Sequence, residues 1–154
     1  KNQSYLLYVL AECKLQGKNY QLTLVGDGPD RDKLEQLAKD LNISKQVNFL
    51  GFIKNASPLI SKHRLFVHAA KMENMPLSLI EALSYGRPVF AASVVGIPEI
   101  ITDGVNGLFW NLDDVKGGAY TLISLLENPR ALQKMSSQAG QKAPRWSARL
   151  PLLA

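Results

Sequence analysis

The chain predicts a doubly wound α/β fold, a parallel sheet with helices on both faces in three layers. Short apolar runs alternate with amphipathic helical stripes from one end to the other. Turn residues punctuate the junctions, among them Gly26-Asp-Gly-Pro29, Gly51 and Gly86-Arg-Pro88. The apolar runs are short and near-continuous, as expected of strands buried on both faces.

Each element has its own warrant. From Ser4 to Gln16, Leu6, Leu7, Leu10 and Cys13 form a helical stripe that Gly17 closes. Gln21 to Val25 reads as a buried strand stopped by the Gly26 turn. Asp30 to Leu41 carries Leu34, Leu37, Ala38 and Leu41 on one helical face. Gln46 to Leu50 reads as a strand, Asn55 to Lys62 as a short helix, and Leu65 to Ala70 as a strand. Pro76 is expected to open a helix running to Tyr85, because proline suits the first helical position. Val89 to Ala92 is a strand, Pro98 to Thr102 a helical turn and Leu108 to Trp110 a last strand. Two helices, Asp113 to Leu126 and Pro129 to about Lys142, finish the pattern, separated at Asn128-Pro129.

Composition sets outer bounds. At 154 residues this is one domain, able to bury about 68–70% of its unfolded surface. No run of about 18 apolar residues offers a spanning helix. The chain opens on Lys1 without a leader pattern and is expected to be a piece of a longer protein. A lone Cys13 on an apolar stripe is expected to be a buried thiol. The net charge of +5 is uneven: Lys45, Lys54, Lys62, Arg64 and Lys71 fall in a stretch with no acid. Such a patch suits phosphate or an anionic membrane surface, although a solvated face is the simpler reading. No zinc spacing, recognition-helix pattern or Arg/aromatic interleaving points to nucleic acid.

In open α/β sheets ligands bind beyond the carboxyl ends of the strands. One such loop holds Glu73, and the helix after it holds Glu81, eight residues on. Between them the amides of Leu77, Ser78 and Leu79 are expected to be free at a helix N-terminus, a ready anion site. Carboxylates flanking phosphate-facing amides fit a sugar nucleotide. Taken singly, Glu81 could be a solvated helix acid and Glu73 an ordinary loop acid. His68, at the end of its strand, is more simply packed than site-lining.

Six pieces in order then resemble a known family: Leu-Val-Gly-Asp-Gly-Pro (24–29), Val-Asn-Phe-Leu-Gly (47–51), Glu-x7-Glu (73–81), Glu-Ala-Leu-Ser-Tyr-Gly-Arg-Pro-Val (81–89), Gly-Ile-Pro-Glu (96–99) and Asp-Gly-Val-Asn-Gly-Leu (103–108). Together they are similar to the C-terminal, donor-binding domain of retaining GT-B glycosyltransferases of group 1, which is Rossmann-like. The resemblance runs from Lys1 to about Lys142. It implies that Glu73 meets the transferred sugar near its anomeric centre and that Glu81 accepts from the ribose hydroxyls. The amides of Met75, Leu77 and Ser78 would hold the diphosphate with Lys1, and Phe52 and Ile53 would pass the base. Gly26, Gly28 and Gly96 would line the donor, although turn formation alone explains the first two.

The implied activity is sugar transfer with retention, from a nucleoside-diphosphate sugar to a glycan or glycolipid acceptor held by a further domain. The expected setting is cell-surface polysaccharide or lipopolysaccharide synthesis in the cytoplasm, at the inner face of the membrane, with peripheral membrane contact open to it. No cofactor is expected to stay bound, and no Asp-x-Asp motif is present to hold a metal. A sugar-nucleotide epimerase, a glycan phosphorylase and a non-catalytic nucleotide-sugar module are the alternatives.

Three departures accompany the resemblance. Glu73-Asn-Met-Pro76 stands where the family commonly has Glu-Gly-Phe-Pro, Val95-Gly96 where it has Gly-Gly, and Ala69-Ala70 where a Ser often precedes the Glu loop. The family's order also implies a further central strand, between those at 21–25 and 65–70, lying before Lys1. The sheet is therefore expected to close that gap by direct pairing or to borrow a strand. Trp146, Leu150, Leu152 and Leu153 form an apolar tail expected to reach another domain.

Overall fold

The computed structural model describes residues 1–147, with side chains to residue 141, so the tail expectation falls outside the described residues. The order is α1 (Gln3–Leu15), β1 (Leu22–Leu24), α2 (Arg31–Asp40), β2 (Val47–Phe49), α3 (Ser57–Ile60), β3 (Phe66–Val67) and α4 (Leu77–Ser84). β4 (Val89–Ala91), α5 (Ile97–Ile100), β5 (Gly107–Phe109), α6 (Val115–Leu126) and α7 (Pro129–Ser147) follow. Strand and helix alternate as the sequence pattern predicts. β3 is much shorter than its apolar run, because only Phe66 and Val67 find ladder partners.

The three strand ladders are parallel. Leu22, Thr23 and Leu24 align with Val47, Asn48 and Phe49. Val89, Phe90 and Ala91 align with Gly107, Leu108 and Phe109, while Phe66 and Val67 align with Val89 and Phe90. The strands form two sheets, β1-β2 and β3-β4-β5. The gap is not closed by direct pairing, since β1 and β3 belong to separate sheets among the described residues.

Packing against α1 holds the two sheets together instead. Leu7 and Leu10 join Ala38, Ile43 and Val47 in the core over β1-β2. Tyr5, Leu6, Val9 and Cys13 join Phe90, Trp110, Ala119, Leu122 and Leu125 in the core over β3-β5. A helix serving two cores must be apolar on two sides, which is why α1 buries six residues where a surface helix would bury one stripe. The Cys13 thiol is fully buried, and that burial pushes its pKa up to about 11. It is inert, as expected. A third cluster packs Leu79, Ile80, Ala82 and Leu83 of α4 on Val89, Ile97, Ile100 and Ala139. Single cross-ties add to this packing: the His63 Nε2 and Thr23 Oγ1 atoms lie 2.9 Å apart, and Arg64 Nη2 donates to the Leu126 carbonyl at 2.8 Å.

Candidate functional site

Parallel ladders put the carboxyl ends of neighbouring strands at one edge, and the loops leaving that edge meet in pairs. The loops after β1 and β2 touch through Gly26 N–H, which donates to the Gly51 carbonyl at 2.8 Å. Gly26 adopts φ +119, a backbone for which glycine is the fitting residue. Gly28 does not share that explanation: its φ is not positive, and a Cβ there would meet nothing within 4 Å. Phe52 is largely solvent-exposed just after this junction and Ile53 is half-buried.

The loops after β3 and β4 meet more tightly. Gly96 N–H donates to the Glu73 carbonyl at 3.4 Å. A Cβ on Gly96 would lie 1.7 Å from the Asn74 carbonyl oxygen, so only glycine fits there. Glu73 is half-buried, with Oε2 3.8 Å from His68 Nε2. Burial pushes the His68 pKa below its ordinary value; the Glu73 carboxylate opposes that shift and the Lys1 ammonium adds to it. Lys1 therefore shares the electrostatic neighbourhood of His68, as Glu73 does. His68 Nδ1 is buried without a hydrogen-bond partner among the described residues.

The strand end is braced from below. Trp110 Nε1 donates to the His68 carbonyl at 3.1 Å, and its ring stands edge-on to Tyr5 and Phe90, with centroids 5.2 and 5.7 Å away. Tyr5 Oη in turn donates to the carbonyls of Asn111 and Asp114. A rigid aromatic column thus fixes the backbone just ahead of the Glu73 loop. The sequence shows the aromatics but not their stacking.

α4 begins one residue later than expected. Pro76 has φ −75 and ψ 102, an extended conformation, and stands just outside the helix as its N-cap. Its side chain can accept no amide hydrogen bond, so the first turn is left open. Leu79 N–H is an exception to the expected free amides, since it donates to the Pro76 carbonyl at 3.0 Å. The amides of Met75, Leu77 and Ser78 meet no acceptor among the described residues. Three open donors at the positive end of a helix dipole attract an anion.

Glu81 lies on the outward stripe of α4, one helical turn after Leu77 and Ser78, while Leu79, Ile80, Ala82 and Leu83 face the core. Side chains on a helix lean towards its N-terminus. Glu81 is therefore an exposed acid one turn along the helix whose open amides follow the Glu73 loop. Glu73 and Gly96 meet at this junction, Met75, Leu77 and Ser78 follow it at the start of α4, Glu81 lies further along that helix, and Lys1 shares the electrostatic neighbourhood of His68, while Gly26, Gly28, Phe52 and Ile53 belong to the loops after β1 and β2. The sequence marks His68 only by its strand-end position close to Glu73. Val95, which stands where the resembling family has the first glycine of Gly-Gly, keeps a positive φ of +39.

Helix-covered parallel strands with their loops gathered at the carboxyl edges define an α/β domain of the kind found in GT-B glycosyltransferases. HepE from Anabaena, solved with UDP, superposes with a TM-score of 0.85 at 28% identity, over 94% of this chain and 41% of that one. TarM gives 0.88 at 23% identity over 94% of this chain and 29% of its own, a likeness of fold alone. Residues 1–145 match the glycosyl transferases group 1 family, and the chain belongs to that family. It is 35% identical over 119 residues to N-acetyl-alpha-D-glucosaminyl L-malate synthase of Bacillus anthracis, covering 77% of this chain and 31% of that protein. Alpha-monoglucosyldiacylglycerol synthase of Acholeplasma laidlawii is 32% identical over 125 residues, 79% of this chain and 30% of its own. The chain thus spans about a third of the curated relatives it matches. Among the described residues no helix is long and apolar enough to cross a membrane.

Proposed function

We propose that this chain is the donor-binding half of a retaining glycosyltransferase, taking the sugar from a nucleoside-diphosphate sugar. The observation that carries the reading is the open α4 terminus, with the Met75, Leu77 and Ser78 amides between Glu73 and Glu81. The amides and Lys1 hold the diphosphate, Glu81 accepts from the ribose diol, and Glu73 accepts from hydroxyls of the sugar. Phe52, Ile53, Gly26 and Gly28 lie along the nucleoside.

Charge grows on the diphosphate as the glycosidic bond breaks. Donors already aimed at that oxygen need no reorganisation when the charge appears, and this is how the site would lower the barrier. The amides come from a helix whose opposite face is packed in the core, so they stay in place. His68, its pKa lowered by burial, lies beside Glu73, with Nε2 3.8 Å from Oε2. A glycan or glycolipid acceptor would be held outside this chain, and the reaction would run in the cytoplasm at the membrane's inner face. The glycolipid synthase among the relatives is in keeping with that setting.

Calorimetry with UDP, and with GDP and ADP as comparators, tests the proposal. UDP is the expected ligand because HepE was solved with it. The chain should bind UDP weakly and transfer nothing by itself. Glu81→Ala should weaken UDP binding by about 1–3 kcal/mol through lost charge-assisted hydrogen bonds. If the folded chain binds none of the three nucleotides, the donor-site assignment fails.

A further inference from the structure

Val95 has a conformation that a β-branched residue almost never takes. Its φ is +39, in the left-handed region. The Ile97 amide donates to the Val94 carbonyl at 3.0 Å, closing a turn in which Val95 is the first central residue. Gly96 follows at φ −84 and ψ −7. Positive φ at the first central position and negative φ at the second is the type II′ pattern, in which glycine normally comes first. Here the chain places its glycine second and a valine in the glycine's place.

The surroundings explain why the turn persists. Gly96 backs so closely onto the Asn74 carbonyl that no side chain is tolerated, and its amide holds the Glu73 carbonyl. On one side Val94 N–H donates to the Ala92 carbonyl at 2.9 Å, and on the other Ile97 is fully buried. Fixed at both ends, Val95 cannot relax. Strain of this kind survives where neighbouring structure over-determines it, and it gathers at ligand clamps. The side chain gains no core burial in return, for Val95 is 65% exposed.

Its neighbours are of the same kind. Met72, Met75 and Leu77 are all exposed and flank Glu73 and Asn74, the loop against which the Val95 turn is clasped. Exposed apolar residues thus stand on both sides of Glu73 in the chain, and Val95, joined to that loop through the Gly96 amide, is the β-branched one held at positive φ.

We propose that Val95 is a specificity-determining residue for the donor sugar. Its branched side chain, locked beside the Glu73 loop, takes up room that a glycine would leave open, and so disfavours a donor whose sugar carries an extra ring substituent. This rests on the donor-site reading above.

The test compares the parent chain with Val95→Gly and Val95→Ala by calorimetry, using UDP, UDP-glucose and UDP-N-acetylglucosamine. Val95→Ala keeps the unfavourable φ but loses most of the bulk, so it separates volume from strain. The parent should prefer UDP-glucose. In Val95→Gly that preference should shift towards UDP-N-acetylglucosamine by about tenfold, the scale of a small apolar group in a pocket, with Val95→Ala in between. UDP alone should bind all three proteins equally, since the change touches the sugar. A preference that stays unchanged while UDP still binds overturns the role of Val95 and leaves the donor site standing. A shift in Val95→Gly but none in Val95→Ala also overturns it, because backbone freedom would then be the cause. No binding of UDP, GDP or ADP by the parent removes the donor site, and this inference with it.

Discussion

Gly96 shows how one missing carbon positions a site. Its backbone passes so close to the Asn74 carbonyl that any Cβ would collide, and its amide ties the loop to Glu73. Gly96→Ala must push the two loops apart. It should cost about 1–3 kcal/mol, as overpacking does, read as a lower urea midpoint, and should weaken UDP binding at the same time. His68 makes a second prediction at this scale. Burial lowers its pKa in the folded chain below the unfolded value of 6.5. The unfolded state therefore binds the proton more readily, and stability rises with pH across that interval. The His68 contribution is complete above about pH 6.5 and is lost as pH falls through the lowered value. Urea unfolding at pH 7.5 and at pH 5.5 should show that loss, and His68→Gln should flatten the dependence on pH.

Among elements, α4 and α6 start in opposite ways. Asp114 caps α6, its Oδ1 accepting from the Gly117 amide at 2.8 Å. Asp114→Ala should destabilise by about 1 kcal/mol, the usual worth of such a cap, seen as a lower melting temperature. α4 has no side-chain cap, because Pro76 occupies the N-cap. A helix end left without a protein partner is one that a ligand can satisfy. Proline's lack of an N–H was readable from sequence; whether Pro76 stood inside or outside the helix was not. That depended on ψ 102, which the following turn sets. The strand pattern was legible from apolar runs, but the length of β3 was not, since a ladder needs a partner as well as a propensity.

Across the whole molecule, with β1 and β3 unpaired, side-chain packing links the two sheets, and α1 gives buried residues to both cores. Leu7, fully buried against the β1-β2 side, tests this. Leu7→Ala should cost about 2–5 kcal/mol. If α1 joins both cores, tryptophan fluorescence should shift together with far-UV circular dichroism, because Trp110 lies in the other core. Separate transitions would show instead that the two halves unfold independently.

The order of elements, the α/β class and the buried thiol were determined by sequence alone. These follow from local periodicity, turn chemistry and spacing along the chain, and need no knowledge of distant contacts. Three things were decided only by tertiary structure: the division of the strands into two sheets, the column of Tyr5, Trp110 and Phe90 beneath His68, and the clasp that holds Val95 at positive φ. Each depends on groups far apart in the chain coming within contact distance, where packing density and backbone sterics leave a single arrangement open.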